Sequence, residues 1–344
     1  MAENTYFLVN DTRYDNHHGG LTVVRNLHAA MAARGWTCTG SLPVSASVSH
    51  LTRVRAPLGK AQLIIVNGEG SLHHNSRNTQ RLLAICSQLQ LSHPVAIINT
   101  IWQENDTATW KPILDACVAV YARDRRSREQ LIGIGVDAGL APDLTFYDYP
   151  ALSTRTGEHY ACTDSVMDEW TKWAMEQCES ASDMDFITLF TRTLTHTRGM
   201  RDWGKRIKYA VYPLLPHRLQ ARVAARYRTL AHAEDDTTAL LERMSSARAI
   251  CVARYHALCF ALQQNRPFVA VPSNSFKSEA LLEDVGLRHD TFLYRERDAS
   301  SLRDALASAA DRQEEFRSTI AAFNQSARQQ IDAMFDSLTS SLPE

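Results

Sequence analysis

The sequence lacks the cysteine spacings of a disulfide framework or of a structural zinc site. Its 344 residues include seven cysteines, an odd number, and no two of them form a Cys-x-x-Cys pair. Scattered thiols of this kind are typical of buried cysteines in a reducing compartment. The first residues, MAENTYFLVN, show no secretory leader, and no run approaches the roughly 20 apolar residues of a membrane-spanning helix. We therefore expect a cytoplasmic protein.

A strong charge of either sign is missing as well. The 37 basic and 38 acidic residues give a formal net charge of -1. Because proteins that bind nucleic acid over a broad surface are normally basic, we expect no nucleic-acid partner. Hydrophobic residues make up 44% of the chain and charged residues 22%, a globular composition. The length suits two domains better than one.

Short apolar runs alternate with amphipathic segments along most of the chain. The predicted strands are 6–10, 61–67, 94–99, 117–122, 186–190, 249–252 and 267–271. The predicted helices are 21–34, 79–91, 125–132, 166–178, 238–245, 255–263 and an amphipathic stretch over 302–338. This alternation is typical of parallel, doubly wound sheets.

The alternation lapses between 143 and 165, in the segment DLTFYDYPALSTRTGEHYACTDS. A domain boundary in this segment divides the chain into 1–155 and 165–344. The resulting prediction is an α/β fold of two Rossmann-like domains that face a cleft, the second ending in amphipathic helices. Ligands of such folds bind at the carboxyl ends of the strands.

The strongest local signal is ARYHALCFALQQNRPFVAVPSNSFKSE, over 253–279. Arg254, Tyr255 and His256 follow an apolar strand and open a helix, where backbone N–H groups and the helix dipole favour an anion. Arginine adds a planar fork for carboxylate or phosphate, and histidine a group that can exchange a proton near neutral pH. A surface ion pair for Arg254 and a helix cap for His256 explain the pattern equally well. Further candidates on the same strand-end rim are Arg192, Ser273, Asn274 and Lys277.

Two other loops follow predicted strands. NGEGSLHH places two glycines around Glu69, so a ligand can approach the backbone closely, and the carboxylate can act as a base. NDTRYDNHHGG lies between the first strand and the first helix. Ordinary turn and capping chemistry is the alternative for both loops. A zinc site built from the histidines has no supporting spacing, so we predict no metal. The candidates in these loops are Asp15, His17, His18, Gly19, Glu69, Gly70, Ser71 and His73.

A basic segment covers 198–228. It contains nine Lys or Arg residues and a single acid, Asp202, with apolar residues interleaved. A solvated helical face accounts for this composition, and so does peripheral docking on anionic lipid at the inner face of the cell membrane.

Taken in order, these segments resemble the polysaccharide pyruvyl transferase family. The resemblance spans about residues 5–290 and rests on NHHGG, NGEGSLHH, PVAIINTIWQ, ARDRRSREQL with APDL, and the 253–279 segment. It implies a fold like that of GT-B glycosyltransferases, with phosphoenolpyruvate as the donor and co-substrate and no other cofactor. The acceptor would be a sugar of a bacterial surface glycan or of its lipid-linked precursor. The product would be a cyclic pyruvate ketal.

The resemblance also implies roles for the candidate residues. Arg254 and His256 would bind the donor, with His256 as the proton donor to its methylene carbon. Donor contacts are also expected from Tyr255, Arg192, Lys277, Asn274 and Ser273. The base would be Glu69 or a first-loop residue, Asp15, His17 or His18, and acceptor contacts would come from His18, Gly19, Gly70, Ser71 and His73. The first domain would then be the acceptor side and the second the donor side.

Two other functions fit the same segments. A GT-B glycosyltransferase would use Arg254 and Lys277 to hold the diphosphate of a nucleotide sugar. A non-catalytic glycan-binding protein would keep the fold and give Arg254 and His256 structural roles only. A nicotinamide dehydrogenase is disfavoured because the first turn lacks the glycine fingerprint.

Overall fold

The computed structural model describes residues 4–152, 157–196, 203–204, 207, 210–211, 214–216 and 228–340. Contacts divide the chain into two compact units. The N-terminal unit comprises Met1–Asp15, Gly20–Asp148 and Gln325–Glu344, and the C-terminal unit comprises Asn16–Gly19 and Tyr149–Asn324. Most of the basic segment 198–228, and with it the predicted membrane contact, lies outside the described residues.

A six-stranded parallel sheet forms the centre of the N-terminal unit, in the order β2-β1-β3-β4-β5-β6. Its strands are β1 (Asn4–Asp11), β2 (Trp36–Pro43), β3 (Leu63–Asn67), β4 (Val95–Thr100), β5 (Ala119–Ala122) and β6 (Gly139–Leu140). Every residue of β3 and β4 is buried, as expected for central strands covered on both faces by helices. The α-helices lying wholly or mainly in this unit are His18–Ala32, Arg55–Leu58, Arg77–Leu89, Thr107–Asp115, Arg125–Gly133 and Gln313–Ser340. Short 3-10 helices cover Thr12–Asp15, Val48–Val54 and Leu144–Phe146.

A four-stranded parallel sheet forms the centre of the C-terminal unit, in the order β10-β9-β7-β8. Its strands are β7 (Tyr160–Thr163), β8 (Met184–Ile187), β9 (Ile250–Val252) and β10 (Phe268–Ala270). The α-helices are Asp168–Ser180, Thr237–Ser246, Tyr255–Gln263, Lys277–Val285, His289–Phe292 and Ala299–Asp311, with a 3-10 helix at Thr229–His232. All nine residues of Tyr255–Gln263 are buried, so this helix belongs to the core of the unit.

Each sheet has one point where the strand order reverses. In the N-terminal unit this point lies between β1 and β3, and in the C-terminal unit between β7 and β9. The connections after these two strands leave on opposite faces of the sheet, which opens a crevice at their carboxyl ends. Residues just after β1 and β3, and just after β7 and β9, are therefore the places to look for ligand-binding groups.

The predicted α/β class with two parallel, doubly wound sheets is confirmed. Helix 255–263 has the bounds that the sequence predicts. The segment 143–165 is less irregular than its pattern indicates, because it contains β7. The predicted helix over 302–338 is two helices, since Ala299–Asp311 ends before Gln313–Ser340 begins. Within the described residues, no helix is both long enough and apolar enough to cross a membrane.

Candidate functional site

An arginine–carboxylate pair spans the reversal point of the C-terminal sheet. Asp164 follows β7 and Arg254 follows β9. The Arg254 Nε donates to Asp164 Oδ2, and Nη2 donates to the Ser165 carbonyl at 3.0 Å. The Asp164 side chain is only 2% exposed, and its other oxygen accepts the Leu189 N–H at 2.8 Å. Because one edge of the guanidinium is held in this way, the Arg254 fork has a fixed orientation.

The opposite edge of the Arg254 guanidinium can still donate hydrogen bonds to a ligand. Its side chain is 15% exposed, and within the described part of the chain Nη1 has no hydrogen-bond partner. The Phe190 ring lies under the guanidinium, 4.7 Å from its central carbon. A cation packed on an aromatic face and anchored by a buried carboxylate keeps its planar fork in place to receive an anion.

The segment Asn16–Gly19 is tied to the strand end beyond β8. The His18 N–H donates to the Leu189 carbonyl at 2.8 Å, and the Thr191 N–H donates to the Asn16 carbonyl at 3.0 Å. This bridge sets the His17 ring edge-on to Phe190, with ring centres 5.4 Å apart, and 5.6 Å from the His256 ring. We call Asp164, Phe190, Arg254, His256 and His17 the Arg254 cluster.

The two neighbouring histidines have different surroundings. His17 is half-buried, and its Nδ1 accepts the Gly19 N–H at 3.1 Å. Burial, together with the positive charge of Arg254 and further cationic groups, holds the pKa of His17 well below its ordinary value. His18 is fully buried, with Nε2 bonded to the Glu234 carbonyl at 3.0 Å and Nδ1 to the Thr237 hydroxyl at 2.9 Å. His18 therefore has an internal role, and both of its ring nitrogens are occupied.

Gly19 lies flat against His256. A Cβ on Gly19 would stand 2.2 Å from Cγ and Nδ1 of the His256 ring and 2.6 Å from its Cβ. His256 is the second residue of its helix and only 8% exposed, while Tyr255 before it is 5% exposed. Gly19, predicted to contact the acceptor, is thus packed directly against the His256 ring.

The other predicted donor residues divide into two groups. Lys277 opens the helix Lys277–Val285, is 9% exposed and donates from Nζ to Asn274 Oδ1 at 3.0 Å. Its positive charge is among the groups that lower the pKa of His17. The Ser273 hydroxyl also bonds to Asn274 Oδ1, at 3.3 Å. Arg192 is exposed and donates to the Ala233 carbonyl at 2.8 Å, and its described contacts do not bring it to the cluster.

A second polar group lies at the reversal point of the N-terminal sheet. Glu69 Oε2 accepts the Thr12 hydroxyl at 2.6 Å and the Asn67 amide at 3.2 Å. The Asn10 amide donates to the Asn67 carbonyl at 2.6 Å, which ties the end of β1 to the end of β3. We call Asn10, Thr12, Asn67 and Glu69 the Glu69 cluster.

Glycine is required beside Glu69 for packing. A Cβ on Gly68 would stand 2.5 Å from the Thr100 side chain, so the loop can pass this strand only without one. Gly70 has a φ of +60° and open space around it. Ser71 is buried, and its hydroxyl donates to the Glu69 carbonyl at 3.0 Å.

The remaining predicted residues of this unit lie in other surroundings. His73 contacts the His74 ring, with their Nδ1 atoms 2.8 Å apart. Asp15 is exposed at the end of the helix Thr12–Asp15.

Sequence reasoning missed Asp164, Phe190, Thr12 and Asn67. Their signal is the one used for Arg254, a polar or aromatic side chain at the end of a parallel strand. Among the residues that the structure describes, no group of three or more His, Cys, Asp or Glu is arranged to hold a metal ion.

Comparison with solved structures identifies a shared fold. A structure from Listeria monocytogenes assigned as a UDP-N-acetylglucosamine 2-epimerase is 9% identical, with a TM-score of 0.55, covering 98% of this chain and 96% of that one. A UDP-GlcNAc 2-epimerase from Methanocaldococcus jannaschii is 11% identical, with a TM-score of 0.49, covering 88% and 92%. The likeness to the first of these structures shows the fold, which is GT-B-like, as the resemblance implies.

Sequence comparison identifies the family. No curated protein matches the chain in sequence. The profile of the polysaccharide pyruvyl transferase family matches residues 4–275, which is most of the chain. Both of the clusters described above lie within or at the edge of this match. The chain therefore belongs to the polysaccharide pyruvyl transferase family.

Proposed function

We propose that this protein is a transferase that uses phosphoenolpyruvate to form a cyclic pyruvate ketal on a sugar. The acceptor is a sugar of a bacterial surface polysaccharide or of its lipid-linked precursor. The observation that carries the proposal is the Arg254 cluster, in which a fixed guanidinium with an unused N–H edge lies with two histidines. Phosphoenolpyruvate carries a carboxylate and a phosphate, and such anions bind best to a planar arginine fork supported by further cations.

In the proposed reaction, His256 acts as the general acid. It gives its proton to the methylene carbon of phosphoenolpyruvate, so the carbon that bears the phosphate becomes electrophilic. One acceptor hydroxyl attacks this carbon and loses its proton to a base. The bond between this carbon and the phosphate oxygen then breaks, the second hydroxyl adds to the same carbon, and its proton goes to the departing phosphate, which leaves as inorganic phosphate beside the closed ketal. Arg254 and Lys277 stabilise the negative charge on the departing phosphate.

For the base we propose Glu69. Its carboxylate is held by Thr12 and Asn67 at the carboxyl end of a parallel sheet, the usual position of ligand-binding groups in such folds. Glu69→Gln keeps the shape of the side chain and removes its ability to accept a proton. We expect a loss of turnover of about 100-fold or more with unchanged affinity for phosphoenolpyruvate.

The acceptor contacts predicted for Gly19, Gly70, Ser71 and His73 remain predictions. So do the cytoplasmic location, the absence of a nucleic-acid partner, and membrane contact through 198–228. We propose these points together with the activity. We do not propose an acceptor contact for His18, because its ring is buried and bonded to Glu234 and Thr237.

The experiment combines binding and turnover. Calorimetry with phosphoenolpyruvate measures donor affinity, and phosphate release with a panel of synthetic and lipid-linked glycans measures transfer. We expect His256→Ala to lower turnover by about 100-fold or more, and Arg254→Ala to weaken donor binding. His93→Ala, a change in the N-terminal unit, is the matched control and should alter neither.

Two results contradict the proposal. If a nucleotide sugar binds and phosphoenolpyruvate does not, the protein is a glycosyltransferase on the same fold. If neither donor binds and no glycan supports phosphate release from phosphoenolpyruvate, the protein is a non-catalytic member of its family.

A further inference from the structure

The hydrogen bond between His17 and Gly19 fixes where His17 carries its proton. A backbone N–H can only donate, so His17 Nδ1, which lies 3.1 Å from the Gly19 nitrogen, must offer a lone pair. A neutral imidazole with a lone pair on Nδ1 carries its hydrogen on Nε2. The ring of His17 is therefore an N–H donor at Nε2.

Protonation of both ring nitrogens is unfavourable at this position. It would break the bond to Gly19 and add a positive charge beside Arg254 and Lys277, with the His256 and His18 rings also near. Asp164, the carboxylate of the cluster, is already paired with Arg254. The pKa of His17 is accordingly lowered, first by burial and then by these groups. His17 stays neutral at physiological pH.

The Nε2–H of His17 has no hydrogen-bond partner within the described part of the chain. The other contacts of the ring are with aromatic neighbours, edge-on to Phe190 and tilted against His256. The ring thus lies within the Arg254 cluster, half-buried, with one polar hydrogen unused.

We propose that His17 binds the donor anion through Nε2–H as a neutral hydrogen-bond donor, and that it is not the base. This inference rests on the proposed function, because the anion is taken to be phosphoenolpyruvate. A general base needs a lone pair directed at the acceptor hydroxyl. In His17 the lone pair is on Nδ1 and is occupied by Gly19.

Two substitutions separate the two nitrogens of the ring. Asparagine places an oxygen near the position of Nδ1, so His17→Asn keeps the acceptor for the Gly19 N–H and removes the outer donor. Glutamine places an amide nitrogen near the position of Nε2, so His17→Gln keeps the outer donor and removes the inner acceptor. A hydrogen bond to a charged group corresponds to about a tenfold to hundredfold change in affinity.

Calorimetry with phosphoenolpyruvate then tests the inference. We expect His17→Asn to bind about 10- to 100-fold more weakly and His17→Gln to stay within about threefold of the wild type. The reverse order would mean that His17 only caps the helix. Unchanged donor affinity in both variants, with turnover lost in both, would mean that His17 is the base. His93→Asn and His93→Gln are the matched controls, and thermal unfolding identifies any variant that fails to fold.

A second measurement does not depend on a variant or on phosphoenolpyruvate. The ¹⁵N chemical shifts of the His17 ring in the wild-type protein report which nitrogen carries the hydrogen, and we expect a neutral ring protonated on Nε2. A ring protonated on Nδ1, or on both nitrogens near neutral pH, overturns the inference. If the wild type binds no phosphoenolpyruvate, the proposed function fails, while the ring shifts still decide whether His17 is a donor.

Discussion

Replacement of Gly19 by alanine tests the contact on which the position of His256 depends. Gly19 has no positive φ, so alanine fits its backbone without strain. Its position near the start of the helix His18–Ala32 gains up to about 1 kcal/mol of helix propensity from the change. The added methyl group, however, would stand 2.2 Å from the His256 ring, whereas ordinary contact begins at 3.4 Å.

The imidazole must therefore retreat by 3.4 minus 2.2, about 1.2 Å. His256 is only 8% exposed, and the atoms struck are Cγ, Nδ1 and Cβ. Because Cβ and Cγ do not move when the ring rotates about the bond between them, rotation of the ring does not relieve the clash. A displacement of about 1 Å in a reacting group costs roughly 100-fold in rate. Overpacking costs about 1–3 kcal/mol and is partly offset by helix propensity, so we expect a modest net loss of stability.

The assay measures kcat and KM for phosphate release together with the free energy of unfolding in urea. We expect kcat of Gly19→Ala to fall by about 100-fold while the protein remains folded. Gly133→Ala is the matched control, because Gly133 ends a helix and has no atom within 4 Å of the added carbon. A Gly19→Ala protein with kcat within about threefold of the wild type would refute the argument that this glycine positions His256.

Two further predictions concern Arg254 and His18. Arg254→Lys loses the planar fork and should weaken phosphoenolpyruvate binding about tenfold or more. The control Arg243→Lys changes the 2.7 Å pair with Asp185 in the same unit and should lower stability alone. Equal effects of the two substitutions on the affinity measured by calorimetry would contradict this prediction. Burial lowers the pKa of His18 below 6.5, so as the pH falls the unfolded chain takes up the proton before the folded chain does. The free energy of unfolding should therefore be constant above pH 6.5 and decrease as the pH falls below 6.5. His18→Gln should reduce that fall by up to about 1.4 kcal/mol per pH unit in urea unfolding, and an unchanged slope would show that His18 does not contribute.

The sequence predicts the central strands of the sheets well and the marginal ones poorly. β3 and β4 are mostly apolar because they are buried on both faces, so each is recognised in the sequence as a continuous apolar run. β2 is an edge strand in which only Trp36 and Leu42 are buried, and WTCTGSLP contains few aliphatic residues. β7 has four residues and follows a polar segment, so the sequence pattern places its short run YACT within the domain boundary.

The missed β7 also concealed part of the candidate site. Arg254 was recognised because an apolar strand precedes it, and Asp164 occupies the same position after β7. Pairing of these two residues depends on β7 and β9 being neighbours in the sheet, although about 90 residues separate them. Local patterns carry no information about such pairing, so a sequence window identifies the arginine and not its anchor.

The neighbouring histidines His17 and His18 also show that local sequence patterns do not reveal contacts between distant parts of the chain. His17 and His18 have similar sequence surroundings, yet one ring lies in the Arg254 cluster and the other is bonded to Glu234 and Thr237. The antiparallel bridge to the strand end beyond β8 decides which ring points to which neighbour. That bridge joins positions about 170 residues apart, which no local motif specifies.

The chain passes between its two units after Asp15, Gly19, Asp148 and Asn324. A recombination event that replaced only the stretch after Asp148 would bring in a new Arg254 and His256 but keep the old His17 and Gly19. A single crossover after Asp148 would therefore assemble the Arg254 cluster of this protein from two parents. A chimera that exchanges the C-terminal unit should therefore transfer residues 16–19 together with 149–324.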